Sequence, residues 1–115
     1  MNKEGCTLQS LNLYIDDIRN PPNLTDWIVV RSSEQAINYV KENGMPNFTS
    51  FDHDLGGDDT SMVFLKWLID YDMDNNGQII PSDFSWTIHS ANPVGKDNID
   101  SMLKTTYFNY DKCYF

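Results

Sequence analysis

Three short apolar runs in this chain each stop at residues that carry charge or an imidazole. LNLYID (11–16) alternates Leu11, Leu13 and Ile15 with Asn12, Tyr14 and Asp16 and runs on into Asp17. NFTSF (47–51) leads directly into Asp52, His53 and Asp54, and FSWTI (84–88) leads into His89 and Ser90. Runs of this length, alternating or rich in β-branched and aromatic residues, read as strands. A fourth run, WIVVR (27–31), is apolar and β-branched, as suits a strand covered on both faces. Helical signals separate them. Ser33 caps a helix in which Glu34 and Gln35 occupy the first turn, Ala36, Ile37, Tyr39 and Val40 form the buried stripe, and Gly44 ends it. Thr60 or Ser61 opens a second, with Met62, Val63, Leu65, Trp67, Leu68 and Ile69 covering most of its faces. Asn92 and Pro93 read as cap and first residue of a last helix over 93–108, with Ile99, Met102, Leu103 and Phe108 facing inward. IRNPPNLTD (18–26), with two prolines and a cluster of turn residues, makes the first crossover a loop or a very short helix. Strands alternating with helices mean a mostly parallel, three-layer α/β sheet.

Composition narrows the function. At 115 residues, 40% hydrophobic and 13% aromatic, the chain suits a single domain over 1–115 with an N-terminal extension (1–10) and an aromatic tail (109–115). Eight Lys plus Arg against 17 Asp plus Glu give a net charge of -9, which excludes a basic sheath around duplex DNA. No window suits a membrane span, and the start, MNKEGCTLQS, lacks the apolar stretch of a signal peptide; a soluble, cytoplasmic protein is expected. Cys6 and Cys113 lie near opposite ends without metal-ligand spacing and read as free thiols.

In a parallel α/β sheet the C-terminal ends of all strands share one edge, where ligands bind. That rule sets Asp16 and Asp17, Asp52, His53 and Asp54, and His89, Ser90 and Asn92 on one rim. Carboxylates gathered there repel, by roughly 4 kcal/mol per pair at about 4 Å and an effective dielectric of 20. Oxygen ligands from two or three of them, with water, describe a Mg²⁺ or Mn²⁺ site. Each piece taken alone also suits a plainer role: Asp16-Asp17 a solvated turn, His89 a hydrogen-bonded core histidine, Ser90 and Asn92 turn and cap.

LYIDDIRNPP (13–22), FDHDLGG (51–57) and HSANPVG (89–95) together resemble the signatures of the cyclic-phosphate processing receiver-like domains over about residues 11–104. The resemblance implies a receiver-like (CheY-like, flavodoxin-type) fold with about four strands ordered 2-1-3-4, a fifth strand absent or degenerate, a divalent metal at the acidic rim, and a role on cyclic phosphates such as cyclic nucleotides, cyclic oligonucleotides or 2′,3′-cyclic RNA ends. Against ordinary receivers, Asp16 and Asp17 match the acidic metal pair, Asp52 the phospho-accepting aspartate, and Ser90 the switch hydroxyl. The receiver lysine has no counterpart, and His53 and His89 are additions suited to proton transfer. The resulting assignment has Asp16, Asp17 and Asp52 holding one ion, His89 as general acid or base with His53 as second candidate, and Asp54 orienting an imidazole. Arg19, Ser90, Asn92 and Lys96 bind phosphate, the last helix's N–H groups assisting.

Other readings stay open: a module that binds a cyclic nucleotide without cleaving it, as monomer or homodimer, or an atypical receiver phosphorylated on Asp52. DMDNNGQIIPSD (72–83) also fits a calcium-loop pattern through Asp72, Asp74, Asn76 and Asp83, but Pro81 and a following strand make it a connecting loop first. Tyr107, Phe108, Tyr110, Tyr114 and Phe115 suit either a tail packed over a sheet edge or an interaction surface.

Overall fold

The computed structural model describes residues 12–113, with side chains through residue 106. Strands β1 (Asn12–Ile15), β2 (Trp27–Val30), β3 (Phe48–Phe51) and β4 (Ser85–Ile88) form one sheet ordered β2-β1-β3-β4. Every pairing is parallel. The order is the expected one, and no fifth strand follows among the described residues. Helices α1 (Ser33–Asn43), α2 (Ser61–Asp74) and α3 (Pro93–Cys113) complete the fold, and the proline-rich first crossover holds only a 3₁₀ turn over Leu24–Asp26.

Two helix boundaries differ from expectation. Ser32, not Ser33, caps α1: its backbone is extended and its side chain accepts from the Gln35 N–H. Two serines in succession leave the cap ambiguous in sequence, and Ser33 instead bonds Asp59, through its backbone N–H at 2.8 Å and its hydroxyl at 2.5 Å. The last helix runs five residues past 108, to Cys113, because no glycine or proline interrupts 96–113. Residues 109–113 are therefore helix rather than tail. The extension 1–10, Cys6, and the side chains of Tyr107, Phe108, Tyr110, Cys113, Tyr114 and Phe115 lie outside what is described.

The strand order decides where the helices go. The β2-to-β3 and β3-to-β4 crossovers run in the same direction across the sheet, so right-handed connections put α1 and α2 on one face. α3 packs beside α2 and returns over β4. The single connection running the other way, β1 to β2, has no α-helix. Among the described residues, then, only one outer layer of the expected three is helical. The strands reflect this. Leu13, Ile15, Ile28, Val30, Phe51, Trp86 and Ile88 point to the helices and join Ala36, Val40, Phe64, Leu65, Leu68, Ile99 and Leu103 in one core. Tyr14, Trp27 and Phe48, on the opposite face, stay out of that core and pack edge to face on one another, with ring centroids 5.4 and 6.0 Å apart.

The acidic loop after α2 is structural in its geometry. Asp72 is fully buried, and one carboxylate oxygen accepts from the Ile79 and Ile80 N–H groups at 2.8 Å each. Asn76 and Gly77 adopt left-handed backbone, the usual role of an Asn-Gly pair in a tight turn. Asp83 accepts from the Asn47 amide instead of turning toward Asp72. The calcium-loop acids are not brought together.

Candidate functional site

The last paired row of the sheet is Ile15, Phe51 and Ile88 in adjacent strands. The ladder continues for one residue more: the N–H of Asp16 donates to the Val30 carbonyl, that of Asp52 to Ile15 and that of His89 to Phe51. Asp16, Asp52 and His89 are therefore one row, on strands spaced about 4.8 Å apart. Alternation turns their side chains to the face that Tyr14 and Ser50 occupy, away from the helices. The next residues of the first two segments, Asp17 and His53, point elsewhere for the same reason, whereas Ser90 still reaches Asp52 with its side chain.

One carboxylate oxygen from each acid and one ring nitrogen of His89 all lie within 4.8 Å of one another. Asp16 is fully buried and Asp52 is 6% exposed. His89 reaches across β3: its Nε2 lies 2.9 Å from Asp16 Oδ2 and its Nδ1 2.7 Å from Ser50 Oγ. The Tyr14 ring stacks flat on the imidazole, 4.5 Å away and 6° from parallel. Arg19, half-exposed, closes the outer side, with Nε 3.2 Å from Asp16 Oδ2 and a terminal nitrogen 3.7 Å from Asp52 Oδ2.

The two acids are pushed apart electrostatically. Burial drives Asp16 upward, but the N–H groups of Arg19 and Ile18, the His89 imidazole and the Arg19 guanidinium outweigh it, so its carboxyl titrates below the ordinary range. Asp52 moves the other way: burial and the charge of Asp16 raise it, against the opposing pull of Arg19, His89 and a hydrogen bond with Ser90. Two ionised carboxylates in one buried row are thus strained by their own charge, which is what a divalent cation relieves. The donor set, two carboxylates and one imidazole, fits such an ion.

Arg31 shapes the rim from below. From the end of β2 its guanidinium donates to the carbonyls of Asp16 and Arg19 and to the Asn20 side chain. Ser61, at the start of α2, holds the Asp52 carbonyl at 2.5 Å.

The remaining predicted residues form a second group beside the first. His53 Nδ1 lies 3.0 Å from Asp54 Oδ1, and Asp54 accepts from the Asn92 amide at 3.3 Å. These bonds hold the Asp54 carboxyl below its ordinary range, the His53 contact most strongly. Asn92 caps α3 by accepting from the Gly95 N–H, and Ser90 Oγ accepts from the Asn92 N–H. A Cβ at residue 95 would overlap the His53 ring, which explains the glycine. Asp17, expected as a metal ligand, is not in the three-residue cluster and turns toward the Gly56 turn, where it approaches the position of a Cβ to 3.4 Å. Lys96 stands with Trp86, Asp97 and Asp100 around a cavity on the outer edge of β4, and its charge falls on Asp100 instead of the acidic row. Sequence reasoning missed Ser50, Tyr14 and Arg31. The first two had a readable signal, since each stands two residues before a rim acid on a strand.

A four-stranded parallel sheet ordered 2-1-3-4, with acids at the ends of β1 and β3, defines a receiver-like α/β domain. The family model for the cyclic-phosphate processing receiver domain matches residues 11–105. The chain belongs to that family. No curated protein and no solved structure shows a significant match. No helix among the described residues is long and apolar enough to cross a membrane.

Proposed function

We propose that this chain is a metal-dependent phosphoesterase-like domain that opens a cyclic phosphate on a small ligand: a cyclic nucleotide, a cyclic oligonucleotide or a 2′,3′-cyclic RNA end. The observation carrying this is the buried row of Asp16, Asp52 and His89 with Arg19 across its outer side, in a domain of this family. Asp16, Asp52 and His89 would hold Mg²⁺ or Mn²⁺. Such an ion supplies Lewis-acid polarisation of a phosphoryl oxygen and a lowered pKa for bound water.

The chain's own groups divide the rest of the work. Arg19, half in solvent, offers a planar fork to nonbridging phosphate oxygens. Both ring nitrogens of His89 are engaged, so proton transfer falls to His53, oriented by Asp54. Hydrolysis adds water across the ring P–O bond: hydroxyl goes to phosphorus and one proton to the departing ribose oxygen, so a single imidazole can take and return it.

The test is incubation of the purified protein with each substrate class in Mg²⁺, Mn²⁺ or EDTA, followed by mass spectrometry of the ligand. Linear phosphate product that requires the cation is expected, with His53→Ala losing turnover but not cation binding and His89→Ala losing both. Ligand recovered intact from a stable complex identifies the non-catalytic binding module instead. Acetyl phosphate labelling of Asp52 without turnover identifies a phospho-accepting receiver.

A further inference from the structure

Ser50 is 4% exposed, in the middle strand of the sheet, and has no part in the chemistry above. Its hydroxyl nevertheless meets His89 Nδ1 at 2.7 Å, while Nε2 of the same ring meets Asp16 at 2.9 Å. Tyr14 fixes the plane of that ring. We propose that Ser50 is a positioning residue whose hydroxyl donates to Nδ1 of His89 while the Nε2–H faces Asp16, and that this hydroxyl reverses direction when Nε2 turns from hydrogen-bond donor to cation ligand.

The argument is one of donors and acceptors. An ionised carboxylate only accepts, so the ring nitrogen facing Asp16 carries the hydrogen. In the neutral ring Nδ1 is then bare, and its one neighbour must donate; the Ser50 hydroxyl does. A cation on Nε2 requires the lone pair there. The ring then loses the Nε2 proton to solvent and gains one from solvent at Nδ1, its charge unchanged, and Nδ1–H needs an acceptor. A hydroxyl serves both states by rotating about its C–O bond, whereas a carboxylate or carbonyl at the same place would lock the ring in the second. Outer partners of this kind typically change metal affinity 10- to 100-fold. The second half of the proposal rests on the cluster being a cation site; the first half does not.

The experiment uses ¹⁵N spectra of the His89 ring and Mn²⁺ titration by electron paramagnetic resonance, on the full chain. In EDTA the wild type is expected to show a protonated Nε2 and a bare, hydrogen-bonded Nδ1, and Ser50→Ala to keep that tautomer while its Nδ1 resonance moves as the hydrogen bond is lost. Mn²⁺ affinity should fall about 10- to 100-fold in Ser50→Ala and return in Ser50→Thr. Ser50→Val matches Thr in volume without the hydroxyl, so the Thr–Val pair decides the matter if the Ala variant folds poorly. Spectra and affinity unchanged in both Ala and Val overturn the proposal. Absence of Mn²⁺ binding in wild type overturns the cation-site reading and the reversal with it, while the EDTA spectra still decide whether Ser50 donates to Nδ1.

Discussion

The imidazole of His89 lies 2.9 Å from the carboxylate of Asp16, although 73 residues of chain separate them. Their meeting depends on Asp52 between them: β1, β3 and β4 are neighbours in that order, so each contributes one residue to the same row. The row's electrostatics yield the first two predictions.

Asp52 titrates above its ordinary value of 3.8 through burial and the charge of Asp16. The folded protein therefore holds this proton more tightly than the unfolded chain, and the metal-free fold loses stability as pH rises through the folded pKa. Asp52→Asn removes that penalty. In EDTA at pH 7 its melting temperature should exceed wild type by about 4–8 °C for each kcal/mol relieved. The gain should vanish below the ordinary carboxyl range and on adding excess Mg²⁺. A lower melting temperature in EDTA would show the row to be relaxed without a cation.

For Asp16 the sign is opposite. Its carboxyl is held below 3.8, so its contribution is present above that value and is lost as pH falls through the lower folded pKa. Asp16→Asn weakens the charge-assisted bonds from the Ile18 and Arg19 N–H groups and should cost about 1.5–3 kcal/mol at pH 7. Urea melts should show the gap to wild type closing toward acid. An equal stability at neutral pH would mean that these bonds contribute nothing net.

Gly95→Ala sets two effects against each other. Alanine gains about 1 kcal/mol of helix propensity in α3, but its methyl overlaps the His53 ring, and overpacking of this kind costs about 1–3 kcal/mol. A net loss is expected, together with a displaced His53 resonance. In a His53→Ala background the same change should become stabilising. The same sign in both backgrounds would remove His53 as the reason for the glycine.

Asp72 predicts the behaviour of the loop after α2. Asp72→Ala strands the Ile79 N–H and the buried Ile80 N–H, at a cost of about 1–3 kcal/mol for each group left unsatisfied. Calcium should neither raise the wild-type melting temperature nor rescue the variant. Stabilisation by millimolar calcium would restore the loop as a cation site.

Strand positions and the rim were legible because both follow from alternation and the parallel-sheet rule. The same alternation, carried one residue past each strand, separates Asp16, Asp52 and His89 from Asp17 and His53, but not from Ser90, whose side chain bonds Asp52. Lys96 could not be placed from sequence, because a single residue's offset in the α3 register moves a side chain by 100° around the axis. Nor could the contact of Asp59 with Ser33, which joins the Gly56-Gly57 turn to α1 and depends on how two loops approach in space.

Arg31 spends its charge on two carbonyls and an amide oxygen, none of them anionic. The bend from Asp16 to Asn20 is consequently fastened to the sheet from within, so its shape owes nothing to a guest. A ligand arriving at the rim meets a cradle already set, and association should proceed in a single concentration-dependent phase with no slow rearrangement behind it.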